Sequence, residues 1–181
     1  GIKSTRGNHE QKMLRFLEGK RDSVPPHYHY ALNQLIGRGV VKRDDFIAFL
    51  HQMPNIIRVA PNGLVTHGGV NVTDPWLEDD SANIYGHLTE PIPRDTGMGS
   101  EHQFWWDHYH LDTVVFYGHV VHEPGTARIR RGLDGKINSV GLDTFVVHGG
   151  PLTAANVDTL EVVQYRTGNN YYDMMKELHS R

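Results

Sequence analysis

The chain has 181 residues, enough for one domain with one substantial core. An apolar content of 38%, a charged content of 22% and a net charge of −3 exclude a disordered chain and leave no electrostatic case for a nucleic-acid or anionic-membrane partner. The absence of cysteine excludes disulfides, thiolate metal sites and a cysteine nucleophile.

No apolar run approaches the roughly 20 residues of a membrane span, and no signal-peptide pattern opens the chain, so a cytoplasmic location is expected. Histidine is the outlier, with thirteen against five Met and three Trp. It is the commonest metal ligand and a proton carrier near neutrality.

EQKMLRFLEG, 10–19, reads as a short helix with Met13, Leu14, Phe16 and Leu17 on one side and Gly19 as its stop. HYHYALNQLIGRG, 27–39, is a second helix ended by Gly37 or Gly39, with Tyr28 and Tyr30 on its surface. KRDDFIAFLHQM, 42–53, is a third, apolar at Phe46, Ile47, Phe49 and Leu50 and closed by Pro54. The period then changes. NIIRVA and GLVTH flank PNG as a hairpin. Residues 70–104 are polar and rich in Gly and Pro, and are expected to be an excursion outside the core. DTVVFYGH, 112–119, is a strongly apolar strand that stops at Gly118. TARIRR and INSVGLDTF flank LDG as another hairpin, and TLEVVQY is a last strand. NNYYDMMKELHS, with Tyr171 and Tyr172, reads as an exposed C-terminal helix. Helices first and strands after point to sheet layers with helices packed outside, α/β or α+β.

Three segments share one design, an apolar strand followed by a polar residue beside glycine: STRGNHE, GLVTHGG and VVFYGHVVH. Glycine permits a sharp turn and close approach of a ligand, and strand ends of layered α/β proteins collect sites. Asn8, His67 and His119 could therefore converge, and an amide oxygen with two imidazole nitrogens suits Mn, Fe or Zn. A single histidine after a strand is otherwise a hydrogen-bonded loop residue.

RGNHE, 6–10, resembles the middle signature of the phosphoprotein-phosphatase superfamily of calcineurin-like binuclear metallophosphoesterases. VTHGG and YGHVVH resemble its next two elements. GLDTFVVHGGPLTA, 141–154, is similar to its closing Asp-Thr-Gly-x-x-x-Gly-Gly-x-Leu-Thr-Ala strand pair. The resemblance runs from residue 6 to about 165 and leans toward symmetrical diadenosine-tetraphosphate hydrolases and small bacterial-type Ser/Thr phosphatases.

The resemblance implies that Asn8, His67 and His119 are ligands of one of two divalent metals, Mn or Fe/Zn. It implies that His9 protonates the leaving oxygen and that Arg6 holds phosphoryl oxygens with its guanidinium fork. A metal-activated water would attack in line. A phosphate monoester repels hydroxide, so metals and Arg neutralise it, while an acid near neutrality helps a poor alkoxide leave by roughly 10²–10⁴-fold.

The superfamily pattern opens with Gly-Asp-x-His-Gly and Gly-Asp-x-x-Asp-Arg-Gly, and this sequence has no Gly-Asp pair. The first metal's ligands, the bridging Asp and the Asp that orients the catalytic His find no counterpart, and Asp143 sits in the wrong context to replace the bridge. The expectation is a single metallophosphoesterase domain over 1–181, incomplete at its N-terminus, whose missing strands another segment or chain provides. At most one metal is expected from this chain alone.

His122 and His148 are near-site candidates, and His148 falls where that branch has an aromatic residue, making it a candidate to touch substrate. EHQFWWDHYH, with His102, His108 and His110, is either a second metal site or a loop packing Trp105 and Trp106. Arg128, Arg130 and Arg131 either grip a polyphosphate or phosphopeptide or form a solvated strand face. The expected fold is a two-sheet β-sandwich flanked by helices. The expected partner is a phosphoprotein or a small phosphorylated molecule: phosphoserine or phosphothreonine protein first, a dinucleoside polyphosphate as rival. A catalytically silent scaffold is the reading from another class.

Overall fold

The computed structural model describes residues 2–59, 61–87, 104–166 and 168–170. In chain order, helices α1 (Asn8–Leu17), α2 (Pro26–Leu32, running into a π-helical turn at Asn33–Gly37) and α3 (Arg43–Gln52) precede strands β1 (Ile56–Val59) and β2 (Gly63–Thr66). Helices α4 (Asp80–Tyr85) and α5 (Trp105–His108) follow. Strands β3 (Val114–Tyr117), β4 (Arg128–Arg131) and β5 (Ile137–Gly141), a short 3-10 turn at Val146–His148, and strands β6 (Leu152–Ala155) and β7 (Val162–Tyr165) complete the order.

The main sheet has the order β1-β2-β3-β5-β4, and β6 pairs with β7 in a separate antiparallel ribbon. Its centre is parallel: Leu64 faces Val115, and Val115 faces Ser139. Both outer pairs are antiparallel. Central strands covered on both faces are continuously apolar, which is why GLVT and VVFY do not alternate, whereas edge strand RIRR does. Both expected hairpins form, β1–β2 directly and β4–β5 across LDG.

Two apolar clusters hold the layers together. Leu14 and Leu17 of α1 meet Leu32, Phe46 and Leu50 from the other two early helices. Leu64, Val115 and Tyr117 of the sheet meet Val70, Trp105, Trp106 and Tyr109. The Glu10 carboxylate accepts from the Gly7 N–H at 3.0 Å, which fixes the start of α1, and Gly19 at φ +71 ends it.

Two expectations are corrected here. Tyr28 is 3% exposed rather than a surface residue, and its ring packs against those of His9 and His27. The stretch after residue 69 is not wholly an excursion: Val70, Ala82 and Ile84 are core. Asp79 caps α4, accepting from Ser81 and Ala82, and a helix of six residues is too short to show a period. The rest of that stretch, 88–103, and the expected C-terminal helix beyond residue 170 lie outside the described residues. Among the described residues no helix is long and apolar enough to cross a membrane.

Candidate metal centre at the strand ends

Parallel pairing brings the carboxyl ends of β2, β3 and β5 to one edge. His67 directly follows β2, Gly118 and His119 follow β3, and Asp143 lies two residues beyond β5. The Gly118 N–H donates to the His67 carbonyl at 2.9 Å, tying the first two ends together. The His67 and His119 rings stand 5.0 Å apart.

His119 has φ +65, and the Val120 N–H donates across it to the Gly118 carbonyl at 2.7 Å. That is a γ-turn of the rare positive-φ kind, and such strain costs of order 1–3 kcal/mol. The turn aims the imidazole into a cavity of about 1090 Å³ that His9, His67, Asp143 and His148 also line.

Asn8 and His9 occupy the first turn of α1. Asn8 Oδ1 lies 3.1 Å from His67 Nε2 although 59 positions separate them. The chain is glycine at residue 7 for a steric reason. A Cβ there would stand 2.9 Å from His67 Cε1 and 2.7 Å from a Glu10 oxygen. The same holds after His67: Gly69 lies under the Trp105 ring, and the Trp105 indole N–H donates to the Gly68 carbonyl at 3.1 Å.

The donor set can be tested against a cation. Two ligands bound side by side to one ion at about 2.1 Å stand about 3.0–3.4 Å apart. The 3.1 Å between Asn8 and His67 falls in that window. Burial, then the neighbouring His119, holds the His67 pKa down to about 4. Burial also lowers His119, against the upward pull of Asp143. Both rings are therefore held toward the neutral, lone-pair form that a metal needs. Among the described residues no group of three or more His, Asp or Glu is placed to hold an ion; the structure places Asn8 against His67 and the His67 ring beside that of His119.

His9 lines the same cavity and stacks on Tyr28 with ring centroids 5.2 Å apart. Burial lowers its pKa, and among the described residues no carboxylate bonds to its ring. Arg6 is tied down beside the site: its Nε and Nη2 donate to Asn55 Oδ1 at 3.3 and 3.0 Å, and Nη2 is 3.5 Å from Asp80. Asn55 in turn donates to Asp80 at 2.8 Å. Arg6 is not part of the cavity lining, and among the described residues its Nη1 has no partner.

The structure thus brings Asn8, His9, His67, His119 and His148 together and sets Arg6 to one side. His122 is elsewhere, between Tyr117, Trp106 and Arg128, and does not line the cavity. Trp105 and Trp106 are buried, on helix α5 rather than in a loop, and among the described residues His108 and His110 join no metal-holding group. His102 lies outside the described residues. Arg128 bonds His122, Arg130 pairs with Asp107, and Arg131 donates to the Gly135 carbonyl. Sequence reasoning missed Asp143 as a cavity residue, although GLDTF repeats the pattern of an apolar strand, glycine and a polar residue. It also missed Asn83, which is fully buried and donates to the Gly69 carbonyl at 3.1 Å, and no sequence signal marks it.

No protein-family model and no curated protein matches this chain. Solved structures do. A protein described as a candidate diadenosine tetraphosphatase superposes with a TM-score of 0.62 at 24% identity, over 92% of this chain and 68% of its own. A hypothetical protein from Pyrococcus horikoshii OT3 superposes with a TM-score of 0.51 at 12% identity, over 99% of this chain and 69% of its own. At these identities the likeness is one of fold, and the fold of this chain is α/β and phosphatase-like, a multi-strand sheet flanked by helices.

Proposed function

We propose that this protein is a metal-dependent phosphoester hydrolase whose cation is held by Asn8, His67 and His119. The observation that carries the reading is the 3.1 Å approach of Asn8 Oδ1 to His67 Nε2, beside the strained His119, at the ends of two adjacent parallel strands. Bound divalent ions would supply charge neutralisation at the phosphoryl oxygens and a water acidic enough to attack in line. His9 would give its proton to the leaving oxygen from the wall of the same cavity. Arg6 would steady a phosphoryl oxygen through Nη1, with Asn55 and Asp80 fixing the guanidinium plane. His148 would touch the substrate from the far wall. Ligands of a second ion would come from a segment or chain carrying the strands that the superfamily pattern has before RGNHE.

The likeness to a candidate diadenosine tetraphosphatase supports a dinucleoside polyphosphate as substrate over the phosphoserine or phosphothreonine protein favoured by sequence. The silent scaffold draws on a different observation: among the described residues no group of three or more His, Asp or Glu is placed to hold an ion. Hydrolysis of diadenosine tetraphosphate and of a phosphoserine peptide with Mn²⁺, with His67→Ala as control, tests all three. Mn²⁺-dependent turnover that His67→Ala abolishes supports the hydrolase. Absence of turnover on both substrates, together with no Mn²⁺ binding that His67→Ala abolishes, sinks it.

A further inference from the structure

We infer that Phe145 and His148 form a stacking platform for a planar nucleobase on the wall of the metal-site cavity. The inference rests on the phosphoester reading and narrows its substrate class to nucleoside polyphosphates.

Phe145 has φ +69, a conformation that a bulky L residue adopts only under constraint. In the pattern that GLDTFVVHGGPLTA resembles, this position is glycine, which takes such a φ without cost. The backbone is pinned there. The Phe145 N–H donates to Asp143 Oδ1 at 3.2 Å, and the Phe145 carbonyl accepts from His148 and Gly150 at 3.0 and 2.9 Å. The phenyl ring lies nearly parallel to the His148 ring, with centroids 4.0 Å apart and planes at 23°. Both rings line the cavity that His67 and His119 enter.

The cavity lining mixes two chemistries. His9, His67 and His119 are suited to phosphate, while Leu142, Phe145 and Leu152 offer apolar surface. A free phosphate would use the imidazoles only. A nucleotide would use both, with a planar base against the rings and phosphates toward the imidazoles. Asp143 lines the same cavity and holds the Phe145 backbone.

The test is calorimetric titration of the protein with ADP and with methyl diphosphate, which lacks the base, in one Mn²⁺ buffer. Wild type is expected to bind ADP about 10-fold or more tightly than methyl diphosphate, the scale of a stacked base. In Phe145→Gly the ratio falls to about 2-fold or less. Thermal melting of that variant guards against misfolding, and Phe145→Leu, which keeps an apolar side chain without a π-face, is expected to lose most of the ratio too. Equal affinity of wild type for the two ligands, or a ratio that survives in both variants, overturns the platform. So does a phosphoserine peptide that binds as tightly as ADP with the same dependence on Phe145. A Phe145-dependent preference for ADP without hydrolysis of any phosphoester upholds the platform and rejects the hydrolase. Hydrolysis without a base preference does the reverse.

Discussion

Two half-buried histidines lie past the carboxyl ends of β2 and β3, and they serve different purposes. His67 and His122 are both held down to about 4, in each case chiefly by burial. Their ring nitrogens differ. His122 has both engaged: Arg128 can only donate, so Nδ1 accepts from it at 3.0 Å, and Nε2 donates to the Tyr117 hydroxyl at 2.8 Å. Among the described residues His67 engages one nitrogen, Nε2 donating to Asn8 Oδ1 at 3.1 Å and leaving Nδ1 without a hydrogen bond, and the His119 ring has no hydrogen bond at all. A depressed pKa therefore does not separate a site from a scaffold. Whether lone pairs are spent on the protein or left pointing into a cavity does.

Removing one residue from each cluster should break the comparison in opposite directions. His67→Ala or His119→Ala is expected to weaken Mn²⁺ or Zn²⁺ binding by about 100-fold or more, measured by calorimetry, with little loss of melting temperature. Chelation by EDTA should remove the same binding from wild type and change nothing in either variant. His122→Ala should do the reverse. It leaves the Tyr117 hydroxyl and part of the Arg128 guanidinium unpaired in a buried place, at about 1–3 kcal/mol in urea denaturation, with metal affinity intact. If His122→Ala costs metal affinity instead, the two clusters are coupled and the separation drawn here is wrong.

The pH dependence sharpens the same point. The unfolded chain binds a proton at His122 near the ordinary value of 6.5, and the folded chain only near 4. Its contribution to stability is thus full above about 6.5 and is lost as pH falls toward 4. Denaturation midpoints at pH 7 and pH 5 should differ less in His122→Gln than in wild type. The smallest effect is expected at Glu10→Gln, which weakens the charge-assisted bond to the Gly7 N–H at the start of α1 by about 0.3–1 kcal/mol. Its melting curve should shift slightly and its metal affinity hardly at all.

Much of the fold was legible because its elements are locally marked. Strands GLVT and VVFY are mostly apolar and stop at glycine or histidine, and α1 and α3 carry an apolar side and end at Gly19 or before Pro54. The buried part of the stretch after residue 69 was not legible. Val70, Ala82 and Ile84 are isolated apolar residues among polar ones, and all three are buried, Val70 in the cluster that the sheet forms with Trp105. Tyr28 reads as a surface residue on an amphipathic pattern and is buried, with His9 of another helix stacked on its ring. In the site, the residue types at Asn8, His67 and His119 were visible, together with the glycines beside them. The positive φ at His119 and at Phe145 was not, since neither residue type favours that conformation.

The sequence by itself determined which residues are available for chemistry: glycine-flanked strand ends, an Asn-His pair opening a helix, and no thiol. Those are local properties, set by backbone propensity and residue type. Tertiary structure alone decided which of thirteen histidines keep a lone pair to offer. That depends on neighbours far along the chain: β2 and β3 lie parallel, so His67 meets Asn8 and His119, while Arg128 and Tyr117 use up His122.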